Sequence, residues 1–178
     1  MIGVDASQKM LDKAKNCTRS VGCGILEEKG EEGDHRPLYD NLLLMDLEEM
    51  TVDNTLYHDS RSSPNGFDLI VAADVLVYFG SLDKLFETFS NISTQGSLLI
   101  FTCEKATEEE APLGWRLTTS GRFAHTKEHA IHMAEKVGYT LEYHQDIVPR
   151  MEKGEPVKGH LFGFLLTSKR ETPLVGDL

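Results

Sequence analysis

Three things are scarce in this chain, and each scarcity removes a class of function. Cysteine occurs only at Cys17, Cys23 and Cys103. An odd number without metal-type spacing argues against a disulfide scaffold and a cysteine-ligated metal. It reads instead as reduced thiols in a cytoplasmic-type compartment. Positive charge is also scarce: 18 Lys and Arg stand against 29 Asp and Glu, a net charge of −11. A nucleic-acid surface needs Lys and Arg to displace counterions, so no nucleic-acid partner is expected. Long apolar runs are missing too. No stretch reaches the roughly 20 residues of a membrane span, and no signal-peptide pattern opens the sequence.

What is present suits a folded domain. With 178 residues, 40% of them apolar, the chain can bury a sizeable core, and a single domain over 1–178 is expected. Acidic residues cluster at Glu27–Asp34, Asp46–Asp53 and Glu104–Glu110, which read as solvated faces. Asn16-Cys17-Thr18 and Asn91-Ile92-Ser93 match the glycosylation acceptor pattern; without a secretory route the match is read as chance.

The richest stretch runs from Gly66 to Gly80. Phe67 to Ala73 is a short apolar run after a glycine turn signal, the pattern of a strand buried on both faces of a parallel sheet. It ends at Asp74, where strands of open α/β sheets deliver ligand contacts. Leu82, Leu85, Phe86 and Phe89 then follow helical spacing. Before this stretch, Met1–Val4 reads as a strand ending at Asp5, and Ser7 can cap a helix to about Lys15. Residues 17–40 read as a polar, glycine-containing insertion of the kind that is often mobile. Leu42–Met45 reads as a strand ending at Asp46, and residues 51–65 as a surface connection.

After Gly96, a stop signal, Ser97–Cys103 reads as another strand. Residues 105–125 lack clear periodicity. Thr126 caps a helix closed by Gly138. Tyr139–Val148 and His160–Thr167 read as two strands joined by 149–159. Strand–helix alternation implies a parallel, doubly wound α/β sheet with right-handed crossovers, and the last pair adds an antiparallel edge. No internal repeat is evident.

This order, with carboxylates at the ends of the first strands, resembles the class I S-adenosylmethionine-dependent methyltransferases, whose fold is Rossmann-like. Ile2–Leu11 looks like that family's second strand and helix, Leu42–Leu47 like its third strand, and Phe67–Tyr78 like its fourth. Asp74–Gly80 together with Trp115–His125 resembles the subgroup often fused behind tetratricopeptide repeats.

The resemblance implies S-adenosylmethionine as cofactor and methyl transfer as activity. Asp5, beside Ala6, would accept hydrogen bonds from both ribose hydroxyls; the alternative is a helix N-terminal charge. Asp46 would accept from the adenine amine while the Leu47 N–H meets a ring nitrogen; the alternative is a loop cap. Ala72, Ala73 and Asp74 would flank the methionine half, the acid favouring a sulfonium; the alternative for Asp74 is a helix cap. Tyr78 could close over the ligands or simply pack. His125 is the candidate base, with a structural hydrogen bond as the alternative. Arg116 and Arg122 could hold an anionic substrate or pair with the many acids. His129 and His132 lie three apart on a helix with no further ligand in register, so no metal site is expected. No motif encodes the methyl acceptor; a small molecule is one candidate, a protein or lipid another.

One family feature is missing. The family's first strand and Gly-rich loop should precede Ile2. Val21-Gly-Cys-Gly-Ile25 imitates that loop, but it follows the Asp5 strand and lacks the third glycine, so it reads as a turn. The family sheet places that first strand between the second and fourth, so both neighbours would expose unpaired edges. Three explanations stay open: a truncated product whose methyl transfer is impaired, a partner chain that completes the sheet, or a silent interaction module. A nicotinamide-dependent reductase is a weaker alternative. It too needs a Gly-rich loop, and its Tyr-x-x-x-Lys pair does not occur.

Overall fold

The computed structural model describes residues 1–20, 35–56 and 66–169. The chain divides into two compact units, Met1–Ser60 and Arg61–Leu178. The Val21–Ile25 turn, Cys23, the Glu27–Asp34 acids and most of the 51–65 connection lie outside the described residues.

The first unit is built on two parallel strands, β1 (Ile2–Asp5) and, later in the chain, Asn41–Leu44, with α1 (Gln8–Ala14) in the crossover. Two short antiparallel strands, β2 (Thr18–Ser20) and β3 (His35–Pro37), come between them. The Asn41–Leu44 strand, β4, pairs with β1 in a register that sets Asp5 opposite Leu44. The Met45 N–H donates to the Asp5 carbonyl at 3.1 Å, so the ladder holds to the last residue of β1. Leu11, on the apolar stripe of α1, is buried. A 3₁₀ turn (Leu47–Glu49) and α2 (Val52–Leu56) are the remaining elements among the described residues of the unit.

The second unit is a six-stranded mixed sheet with helices, the α/β architecture that the alternation implies. Its elements are β5 (Phe67–Ala72), α3 (Asp83–Ile92), β6 (Ser93–Lys105), β7 (Trp115–Leu117), β8 (Phe123–His125), α4 (Lys127–Lys136), β9 (Tyr139–Glu152) and β10 (Glu155–Leu166). The long β6 is the organising strand. It pairs in parallel with β5 and, near its end, with β8; β10 runs antiparallel on its other side. β9 closes the sheet as an edge strand beyond β10.

The core follows the sequence pattern. Leu82, Leu85, Phe86 and Phe89 are buried, as helical spacing requires. Phe101 lies at the centre, its ring centroid 5.3 Å from Phe86, 5.1 Å from Phe162 and 5.7 Å from Phe164. Thr126 caps α4 by accepting from the His129 N–H at 3.2 Å, and Gly138 follows the helix at φ +98°.

In the second unit, four readings change. The β5 strand is not buried on both faces: Ile70 and Ala72 turn inward, while Leu69 and Val71 are 51% and 60% exposed. Leu98, paired with Leu69 and 43% exposed, extends the same apolar face. A short apolar run fixes a strand but not which faces are covered. Gly96 does not mark a helix end; at φ +82° it lies inside β6, where the register slips from Phe67–Ser93 to Leu69–Leu98. The aperiodic 105–125 segment contains the short β7 and β8.

The 149–159 connection is mostly strand. Lys153 and Gly154, at φ +51° and +89°, make the tight turn that a hairpin prefers, so pairing continues to Glu152 and Glu155. Pro149 is tolerated because β9 is an edge strand.

Candidate functional site

In the first unit, the parallel pairing of β1 and β4 brings Asp5 and Asp46 to neighbouring strand ends. Asp5 Oδ1 accepts from the Ser7 N–H at 2.7 Å, fixing the carboxylate at the start of α1. Ser7 itself makes no side-chain cap. Asp46 is exposed, and its Oδ1 accepts from the Glu48 N–H at 2.9 Å. Each acid therefore uses one oxygen locally and retains a second for another donor. Ala6 is exposed and Leu47 half-buried.

In the second unit, β5 ends in Ala72, which is buried, then Ala73 and Asp74, which are exposed. Asp74 has φ +56°, a left-handed conformation that Asp tolerates better than most residues. Its N–H donates to Thr102 Oγ1 at 2.9 Å. Its carboxylate accepts from Arg150 Nη1 at 2.6 Å, and Arg150 also pairs with the buried Glu104. The acid is thus held by an ion pair from β9, a partner that its position after a strand does not reveal.

Tyr78 ends a 3₁₀ turn (Leu76–Tyr78) and is 67% exposed, whereas Leu76 and Val77 are buried. His125 is wholly buried. Its Nε2–H donates weakly to the Leu76 carbonyl at 3.4 Å, bracing the turn that presents Tyr78. Burial pushes its pKa down to about 4, so the ring is neutral at physiological pH. It stacks on His129 with centroids 5.9 Å apart. Arg116 pairs with Glu110 and Arg122 with Glu152, the acid-pairing alternative for both. Cys17 and Cys103 are free thiols, and burial raises the Cys103 thiol to about 12.

A cluster that the sequence did not single out lies on the β9–β10 hairpin. His144 and Asp146 project from one face of β9, and Asp146 is directly opposite His160 on β10. The usable signal was a His-x-Asp alternation followed by a histidine on the next strand. It becomes meaningful only once the hairpin register is known. Among the described residues no helix is long and apolar enough to cross a membrane.

No protein-family model matches the chain, and no curated protein does. Solved structures do match. A methyltransferase dependent on S-adenosylmethionine from Methanosarcina mazei is 11% identical, with a TM-score of 0.59 over 92% of this chain and 80% of that one. One from Mesorhizobium loti is 16% identical, with a TM-score of 0.53 over 92% and 79%. Magnesium protoporphyrin IX methyltransferase from Synechocystis, solved with bound S-adenosylmethionine, is 11% identical, with a TM-score of 0.53 over 92% and 58%. The chain shares the Rossmann-like fold of these proteins.

Proposed function

We propose, from that shared fold, that this chain binds S-adenosylmethionine and presents its methyl group to an acceptor. The observation that carries the reading is the pair of carboxylates at adjacent parallel strand ends, Asp5 and Asp46. Asp5, with Ala6 beside it, takes the ribose diol. Asp46 takes the adenine amine and the Leu47 N–H a ring nitrogen.

Bound S-adenosylmethionine would supply an electrophilic methyl group to an acceptor lone pair, with its sulfur leaving as a neutral thioether. The protein supplies orientation and a dry site, and a base only for an acceptor that carries a proton. Tyr78 is exposed on its turn and is assigned to contact with an acceptor. His125 is given a positioning role in place of proton abstraction, because it is fully buried and hydrogen-bonded to that turn.

Calorimetric titration tests the cofactor reading. Saturable one-to-one binding of S-adenosylmethionine is expected. Asp5→Asn keeps an oxygen for the Ser7 N–H and removes the charge. It should weaken binding about tenfold, the scale of one hydrogen bond to a charged group. No heat and no thermal shift at millimolar cofactor would sink the proposal.

One observation favours a second reading, a methyltransferase-like module that docks a partner without transfer. It is the exposed apolar face of Leu69, Val71 and Leu98. Under this reading a partner packs an apolar surface of its own onto that face. The same titration separates the two, since the docking module takes up no cofactor.

A further inference from the structure

We propose that His144, Asp146 and His160 form a binding site for a divalent first-row transition metal ion, with zinc as its representative. The three side chains sit on the β9–β10 hairpin, inside one unit and on one face of its sheet. His160 Nδ1 is 2.9 Å from Asp146 Oδ1 and 3.1 Å from His144 Nε2, and His144 Nε2 is 3.7 Å from Asp146 Oδ1. Ligand atoms around a tetrahedral zinc, with bonds of about 2.0–2.1 Å, are separated by about 3.3 Å. The three distances bracket that value without any rearrangement of the hairpin.

Proton counting favours a cation over a purely hydrogen-bonded trio. A proton on His160 Nδ1 can serve Asp146 or His144, but it serves both poorly. The 3.7 Å gap between His144 and Asp146 is too long for a hydrogen bond of their own. Three electron-rich atoms thus converge around one proton, and a dication would satisfy all three lone pairs. The buried His160 Nε2 has no partner in either tautomer, so it does not choose between the two arrangements.

The surroundings fit a metal ligand set. Lys105 Nζ donates to Asp146 Oδ2 at 2.6 Å, which turns Oδ1 toward the imidazoles as an outer hydrogen bond does around metal ligands. Lys105 and Lys127 oppose a cation, but Glu108 and Glu128 line the same cavity. With Asp146 these groups leave an excess of one negative charge. Two imidazoles and one carboxylate suit zinc, iron(II), cobalt(II) or nickel(II) better than magnesium or calcium, which prefer all-oxygen sets. The trio opens onto a cavity of about 330 Å³, so a bound ion would keep coordination positions for water or a small ligand.

The test uses the full chain, stripped with chelator and titrated with zinc chloride by calorimetry. Cobalt(II) serves as a second probe, through its visible absorption. One equivalent should bind, with low-micromolar affinity or better. His144→Ala and Asp146→Asn should each weaken binding by about tenfold to a hundredfold, the scale on which site perturbations act. Both residues keep solvent-accessible side chains, so both variants should fold, and thermal melting without metal checks that they do. His132→Ala, outside the trio, should bind as the parent does. Absence of zinc binding at millimolar concentration would overturn the proposal. So would parental affinity in both trio variants.

Discussion

Phe101→Ala is expected to bring the second unit close to unfolding at room temperature. The ring is wholly buried and lies within 6 Å of Phe86, Phe162 and Phe164, which come from a helix and a neighbouring strand. Truncation removes the transfer energy of an aromatic and leaves a cavity that the packed elements around it cannot close, at a cost of about 3–5 kcal/mol. A small domain has only about 5–15 kcal/mol in total. Trp115 is the chain's one tryptophan and stands on β7. Its fluorescence therefore reports unfolding of this unit. The urea midpoint should fall sharply in Phe101→Ala and much less in Phe101→Leu. Similar midpoints for the two variants would show that the aromatic cluster is not the keystone.

Acid should destabilise the chain as pH falls from 6.5 toward 4, beginning well above the range where carboxylates titrate. His125 is the main cause. Its folded pKa is depressed to about 4 from an ordinary 6.5. Below pH 6.5 the unfolded chain binds a proton that the folded chain refuses, so stability falls as pH falls and levels off below 4. At about 1.4 kcal/mol per pH unit, this one ring removes about 2–3 kcal/mol between pH 7 and 4.5.

His129, His144 and His160 are also lowered by burial and act in the same direction. Asp83 and Glu110 are held below their usual range, by Lys136 and by Thr107 with Arg116. Their contribution is present above the ordinary carboxylate pKa and is lost only at lower pH. His125→Gln can still donate to the Leu76 carbonyl but cannot titrate. Its urea stability should therefore fall about 2–3 kcal/mol less than the parent's over the same interval. Equal losses would assign the acid sensitivity to other groups.

Much of this architecture is written locally. Helix spacing placed Leu82, Leu85, Phe86 and Phe89 in the core, and Thr126 and Gly138 marked both ends of α4. The alternation of strands and helices gave an α/β sheet with an antiparallel pair at the end. What escaped depends on pairing between distant segments. Whether Leu69 and Val71 are covered depends on what lies across the sheet, not on their own run of residues. The partner of Asp74 is Arg150, 76 positions away. The hairpin could be extended past Pro149 only by seeing that β9 is an edge. The His144–Asp146–His160 trio is a property of register, and a one-residue slip would point its members to opposite faces. The strand-end acids were legible because their position follows directly from strand length.

The position of β10 bears on how the chain acquires its structure during synthesis. β6 lies in mid-sequence, yet one of its flanks is filled by β10, a strand made some 60 residues later. Phe101 therefore leaves the ribosome long before Phe162 and Phe164, the rings that enclose it. Vectorial folding cannot finish this core stepwise, because non-local closure must await the last hairpin. Until then β5, β6 and α3 lack the strand and the two rings that enclose Phe101.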